Sequence, residues 1–198
     1  MLLTQLKEYS IYLVSQSPRR EELLNGMGIT FDSFSSDVQE VYPNHFSPVE
    51  VAEYLSQLKL SEIQFSNYPE NSIFIACDTI VVLGNDIIGK PSDKEDAKQM
   101  LRKLAGQTHT VISGLSVATN QVHLTENRQT QVHFSSFSEE EIEYYVSKYL
   151  PLDKAGSYGV QEWIGYIGIE AIEGSFYNVM GLPTKLLWDL LYQICNPI

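Results

Sequence analysis

Leu13-Val14-Ser15-Gln16-Ser17-Pro18-Arg19-Arg20-Glu21-Glu22-Leu23-Leu24 is the stretch on which the fold turns. It reads as the apolar end of a buried strand, a hydroxyl-rich turn and the first turn of a helix. Pro18 suits the first helical position, where its missing N–H costs nothing, and Ser17 before it is a good N-cap. A helix N-terminus presents free backbone N–H groups and the positive end of the helix dipole. With Ser15, Ser17, Arg19 and Arg20 added, the turn has the makings of a phosphate cradle. An ordinary capped helix with two solvated arginines has the same spacing.

Outward from this unit, strand and helix patterns alternate. Ile11–Ser15 is a short apolar strand, and the helix from Pro18 stops at Gly26 and Gly28. Residues 31–36 alternate apolar and polar as a half-buried strand does. Residues 37–48, with Pro43 and Pro48, read as a loop. A helix opens at Ser47 or Pro48 and runs to about Phe65, with Val51, Leu55, Leu58 and Ile63 on its apolar side. Residues 72–83 are the most apolar strand, and a continuous run of this kind suits a central position covered on both faces. Gly84-Asn85-Asp86 is a hairpin turn into Ile87-Ile88. Ser92 caps a helix over 93–104, with Glu95 completing a capping box, and Gly106 ends it. Residues 109–119 and 122–137 hold two or three antiparallel strands. Ser138 caps a helix to about Tyr149 whose first turn, Glu139-Glu140-Glu141, complements the dipole. The Gly-rich segment 153–166 is a functional loop, 168–172 a strand, and 182–194 a closing helix begun by Pro183. The pattern predicts an α/β fold with a mixed, twisted sheet flanked by helices, one domain over 1–198 with two lobes around a central cleft.

Composition narrows the function. The chain has 198 residues, enough for one substantial core or two small lobes. Its net charge of −12 argues against a nucleic-acid or membrane-surface partner, both of which need a basic face. A polyphosphate ligand would need a local positive site and a divalent cation. Cys77 and Cys195 are the only cysteines, with neither metal-type nor disulfide-framework spacing. No signal peptide is legible, and no apolar run reaches the roughly 18–20 residues of a membrane span, so a cytoplasmic protein is the expectation.

Asp78 is the sharpest anomaly, a carboxylate inside the apolar run Ile73–Leu83. Such a group is costly unless paired or metal-bound, and at a strand exit it could bind Mg²⁺ or act as a base on water. Lys90, in the rigid turn Gly89-Lys90-Pro91, suits phosphate. Lys59 is the only basic residue between Arg20 and Lys90; on helix pattern alone a solvated lysine is the better reading. Asp37 and Glu40 could supply a second metal-facing carboxylate. Gln161 can donate and accept, as reading a base edge requires.

Taken in chain order, several blocks resemble the Maf family of nucleoside triphosphate pyrophosphatases. They are Ser15 to Leu24, Cys77-Asp78-Thr79-Ile80-Val81-Val82, Gly89-Lys90-Pro91, Leu104 to His109, Pro151 to Gln161, and Glu173 to Pro183. The resemblance implies an elongated α/β fold similar to inosine triphosphate pyrophosphatases. It also implies metal-dependent cleavage between the α- and β-phosphates, with Mg²⁺ or Mn²⁺ as cofactor. Asp78 takes the position of the proton acceptor. Ser15, Ser17, Arg19, Arg20, Lys59 and Lys90 fall on positions tied to phosphate binding and catalysis, and Arg19, Thr79 and Gln161 on positions tied to base choice. The Arg-Arg pair, Asp-Thr and the Lys-Ala-Gly-x-Tyr-Gly-x-Gln block resemble the branch acting on dTTP and UTP, canonical or modified. A homodimer is implied as well. Gln39 stands at a position usually acidic, so Glu40 must supply the metal-facing carboxylate there, or none is supplied. A non-catalytic nucleotide sensor linked to division is the alternative function, and a phosphatase releasing single phosphates a third.

Overall fold

Residues 1–197 are described by the computed structural model. The α/β alternation read from the sequence is present. The helices are α1 (Leu2–Gln5), α2 (Pro18–Gly26), α3 (Pro48–Leu60), α4 (Lys94–Leu104), α5 (Glu139–Tyr149), α6 (Trp163–Gly168), α7 (Phe176–Met180) and α8 (Thr184–Cys195). The strands are β1 (Ser10–Val14), β2 (Asp32–Phe34), β3 (Ser72–Leu83), β4 (Asp86–Ile88), β5 (Thr108–Ala118), β6 (His123–Phe134) and β7 (Ile169–Glu173). They form one seven-stranded mixed sheet in the order β2-β1-β3-β5-β6-β7, with β4 paired to β3. β1 runs parallel to β2 and β3, whereas the β3–β4 and β6–β7 pairs are antiparallel. No helix among the described residues is long and apolar enough to cross a membrane.

The chain divides into two compact units. The first comprises Met1–Asp78, Ser113–Arg128 and the segment from Gly181 onward; the second comprises Thr79–Ile112 and Gln129–Met180. In the first unit, Tyr12 of β1, Phe34 of β2, Phe74 of β3 and Tyr68 form an aromatic cluster. Tyr12 stacks on Phe74 at 5.1 Å between ring centroids, and Tyr68 meets the edge of Phe74 at 4.8 Å. Such pairs contribute about 0.5–1.5 kcal/mol each beyond area burial. β3 is buried along nearly its whole length, which is why it carries no polar alternation.

Helix α3 is fixed against the sheet by two devices. Ser56 on the helix shares a hydrogen bond of 2.7 Å with Ser116 of β5, which in turn meets Thr125 of β6 at 2.9 Å. Gly114 of β5 lies directly under the helix, where a Cβ would come within 2.0 Å of the Ala52 carbonyl oxygen. Helix and strand approach more closely than any residue with a side chain permits.

In the second unit, His109 of β5 is buried against Phe134 and Tyr158, with ring centroids at 4.8 and 5.3 Å. Its Nε2 shares a 2.7 Å hydrogen bond with the Tyr158 hydroxyl. Burial, and secondarily the charge of His133, lowers the His109 pKa from 6.5 to about 4.

Three local expectations are corrected. Helix α3 ends at Leu60, followed by a separate 3-10 turn at Phe65–Asn67, because Ser61 caps the helix with its N–H on the Leu58 carbonyl. Helix α4 is capped by Asp93, whose carboxylate accepts from the Asp96 N–H at 2.9 Å, and not by Ser92. Asp96 accepts the Ser92 N–H at 2.8 Å, so it is Asp96 and not Glu95 that turns back to the helix start. Residues 153–166 are more ordered than a loop, holding a 3-10 turn at Ala155–Ser157 and the start of α6. Helices α1 and α7, too short to show a period, have no counterpart in the sequence reading.

Gly114→Ala is expected to lower unfolding free energy by about 3 kcal/mol, since the methyl group must displace α3 backbone; a urea titration measures it. Stability should also fall in acid. The unfolded chain takes up a proton at His109 near pH 6.5, and the folded chain only near about 4. The deficit therefore opens as pH drops below 6.5 and is complete by about 4, reaching roughly 3 kcal/mol. The wild-type chain should lose more unfolding free energy between pH 7 and 4.5 than His109→Gln does.

Candidate active site

β1 and β3 lie side by side in parallel, with Leu13 opposite Ile75. Carrying that register two residues further sets Ser15 beside Cys77 where β1 ends. Ligands of α/β sheets bind beyond the carboxyl ends of parallel strands, and α2 begins at this end. Ser17 is the N-cap of α2 with extended backbone and Pro18 follows at the first position, as the sequence predicts, but the Ser17 side chain caps nothing. The turn is closed by Ser15, whose buried hydroxyl accepts the Ser17 N–H at 3.1 Å. Ser15 Oγ also accepts from Arg20 Nη1 at 3.3 Å. Arg20 Nε donates to the Gly181 carbonyl at 2.8 Å, and Cys77 Sγ reaches the same oxygen at 3.4 Å. Gly181 O thus ties the arginine of α2 to the residue preceding Asp78. Arg19 is half-buried on the first turn of α2.

Asp78 is 8% exposed and Lys59 9%, and the Lys59 ammonium donates directly to Asp78 Oδ1. The same Nζ lies 3.5 Å from the Cys77 carbonyl and 3.1 Å from Glu40 Oε1. Lys59 is therefore not the solvated lysine that its helix pattern suggests. It falls on the buried face of α3 with Ala52, Leu55 and Ser56, at the helical spacing i, i+3, i+4, i+7. Serine and lysine add nothing to an apolar pattern, so the face was legible only in part.

Glu40, in the loop after β2, pairs with Lys59 through its Oε1. Asp37 borders a cavity of about 300 Å³ shared with Phe34, Lys59, Ile63 and Tyr68. Among the described residues no three His, Cys, Asp or Glu side chains are grouped to hold a metal ion by themselves. Asp78 and Glu40 both meet the Lys59 ammonium, and as oxygen donors they are of the type that a hard divalent cation takes.

The second unit carries Thr79, Lys90 and Gln161. Thr79 is half-buried on β3 and Lys90 is exposed in its turn. The Gly156 N–H donates to the Gly89 carbonyl at 3.0 Å, joining the Lys90 turn to the Asp153–Gln161 block. Gly156 adopts φ +69°, and a Cβ there would meet the Val81 and Leu104 side chains at 3.1–3.3 Å. Gln161 is half-buried, and its Oε1 is fully enclosed without a hydrogen-bond donor. Sequence reasoning missed the Gly181 carbonyl, since a backbone acceptor leaves no compositional signal. It also missed Tyr145 and Glu162, which pack around the Gln161 turn.

A family model described as Maf-like protein matches residues 10–194. The dTTP/UTP pyrophosphatase of Porphyromonas gingivalis is 45% identical over 192 residues, 96% of each chain. That of Bacteroides thetaiotaomicron is 44% identical, covering 98% of this chain and 100% of its own. The dTTP/UTP pyrophosphatase of Cytophaga hutchinsonii is 42% identical over 100% of this chain and 89% of its own.

Removing the Lys59 ammonium leaves a buried carboxylate without its counter-charge. Lys59→Ala should cost about 3 kcal/mol of unfolding free energy in urea, and Lys59→Met combined with Asp78→Asn should recover a large part of it.

Proposed function

The chain belongs to the Maf family, and from that premise we propose that it hydrolyses nucleoside triphosphates, dTTP and UTP foremost, to the monophosphate and pyrophosphate. The observation that carries the reading is the buried Lys59–Asp78 pair, held through Cys77 and Gly181 beside the Ser15–Arg20 turn. A carboxylate with a fixed orientation next to a helix N-terminus, serine hydroxyls and arginines is what anhydride cleavage needs: a proton acceptor beside an anion site.

In this reading Asp78 accepts a proton from the water that attacks the α-phosphorus, while the bond to the bridging oxygen breaks and pyrophosphate leaves. Lys59 holds the Asp78 carboxylate in place. The N-terminus of α2, Ser15, Ser17, Arg19 and Arg20 bind phosphate oxygens and take up charge as it develops on the leaving group. Lys90 falls on a family position tied to phosphate binding. Asp78 and Glu40 are the residues that would hold Mg²⁺ or Mn²⁺. The chemistry such a cation supplies is neutralisation of phosphate charge and acidification of water. Because the proton-accepting and metal-binding roles of Asp78 compete, Glu40 is the partner left for the cation.

Base choice falls to Arg19, Thr79 and Gln161. The Gln161 carboxamide can both donate and accept, which suits the imino N–H and carbonyls of uracil and thymine. The same family reading extends to a homodimer in the cytoplasm, and the net charge of −12 favours a small substrate over nucleic acid.

The test is pyrophosphate release from dTTP, UTP, CTP and GTP, with and without Mg²⁺. Turnover of dTTP and UTP above CTP and GTP is expected, with Asp78→Asn lowering kcat by about 10²–10⁴ while nucleotide binding persists. Binding with no turnover of any triphosphate, or full activity in Asp78→Asn, would overturn the proposal.

A further inference from the structure

The turn that carries Gln161 is held by groups that the proposed chemistry does not use. Its backbone is closed by the Glu162 N–H on the Gly159 carbonyl at 3.0 Å. The Glu162 side chain folds back over the turn, so closely that a Cβ on Gly159 would meet the Glu162 Cδ at 2.7 Å. There the carboxylate accepts a short hydrogen bond from the Tyr145 hydroxyl and pairs with Lys154 Nζ at 3.1 Å. Lys154 reaches Asp153 at 2.8 Å. The Tyr145 hydroxyl also accepts the Gly159 N–H at 3.0 Å, so it grips the turn through both backbone and side chain.

These groups are too deep for solvation to explain. Tyr145 is 0% exposed and Lys154 8%. Burial, and then the neighbouring Glu162, raises the Tyr145 pKa, which keeps the phenol a donor at any working pH. Glu162 and Lys154 bring opposite charges into an interior that could have been filled by apolar side chains at no electrostatic cost. What the arrangement gives is direction. A helix-borne phenol and two charged groups fix residues 159 and 162, and Gln161 lies between them.

We propose that Tyr145, Lys154 and Glu162 form a clamp that sets the pose of the Gln161 carboxamide, making them positioning residues for base selectivity in a nucleoside triphosphate. This rests on the reading of Gln161 as a base-recognising residue. The clamp acts without touching substrate: each member bonds to the turn or to another member. Loosening it lets the carboxamide rotate and exchange its acceptor for its donor, which narrows the gap between bases with and without an imino N–H.

The experiment measures kcat/KM for UTP and CTP in the wild-type chain, Glu162→Gln, Tyr145→Phe, Gln161→Ala and Gln161→Ala combined with Glu162→Gln. The ratio of the two values does not depend on the fraction of folded enzyme, so a purely structural role leaves it unmoved. Glu162→Gln and Tyr145→Phe are each expected to lower the UTP:CTP ratio about tenfold, the size of one well-placed hydrogen bond. The loss should appear in KM for UTP more than in kcat. In the Gln161→Ala background, Glu162→Gln should change the ratio no further. An unchanged ratio in Glu162→Gln and Tyr145→Phe, with Gln161→Ala lowering it, overturns the clamp and leaves the reading of Gln161 intact. An unchanged ratio in Gln161→Ala overturns that reading, and the clamp with it.

Discussion

The constraint from which the first unit follows is that a carboxylate stands inside its most apolar strand. Asp78 at 8% exposure would be prohibitively costly alone, and Lys59 answers it from α3. An ammonium can do so only if the helix that bears it comes close and stays in register. The position of α3 is accordingly over-determined. Gly114 lets the helix rest its backbone on β5, Ser56 bonds to Ser116, and Asn127 donates to Glu53 at 2.6 Å. Buried ion pairs rarely stabilise a fold relative to well-packed apolar residues.

The second unit solves a different problem. It holds loops still. The Asp153–Gln161 block has little regular structure, so its order comes from tethers: Gly156 to Gly89, Tyr145 to Gly159, and Lys154 between Asp153 and Glu162. Ser157, at φ 60° without being glycine, adds backbone strain that those tethers must hold. Rigidity of this kind is worth its cost where a side chain must meet a ligand with one atom and not another.

Much of this was legible in the sequence, and the reasons differ by element. The bounds of α2, β3 and α5 follow from local chemistry: Pro18 at a helix start, an unbroken apolar run, and Ser138 with Glu141 in a capping box. The α4 cap was not legible, because Ser92, Asp93, Glu95 and Asp96 are all competent and only the backbone angles choose. Lys59 was read as solvated because a buried lysine is recognisable only with its partner, nineteen residues away in another element. Asp78, Lys90 and the Ser15–Arg20 turn stood out as candidates on residue type and pattern, and the resemblance added Thr79 and Lys59. The carbonyl of Gly181, which joins Arg20 to Cys77, was invisible to both.

The two carboxylates on Lys59 are not equivalent. Asp78 has a side chain 12% exposed and sits on a strand, where a shift of one residue would turn it to the other face. Glu40 is 45% exposed and sits in a loop with no such alternation, so residue 39 or 40 can present an acid to the same ammonium. Glu40 is thus the more open of the two carboxylates on Lys59, and Asp78 the more enclosed. Lys59 joins one enclosed carboxylate on a strand to one more open carboxylate in a loop.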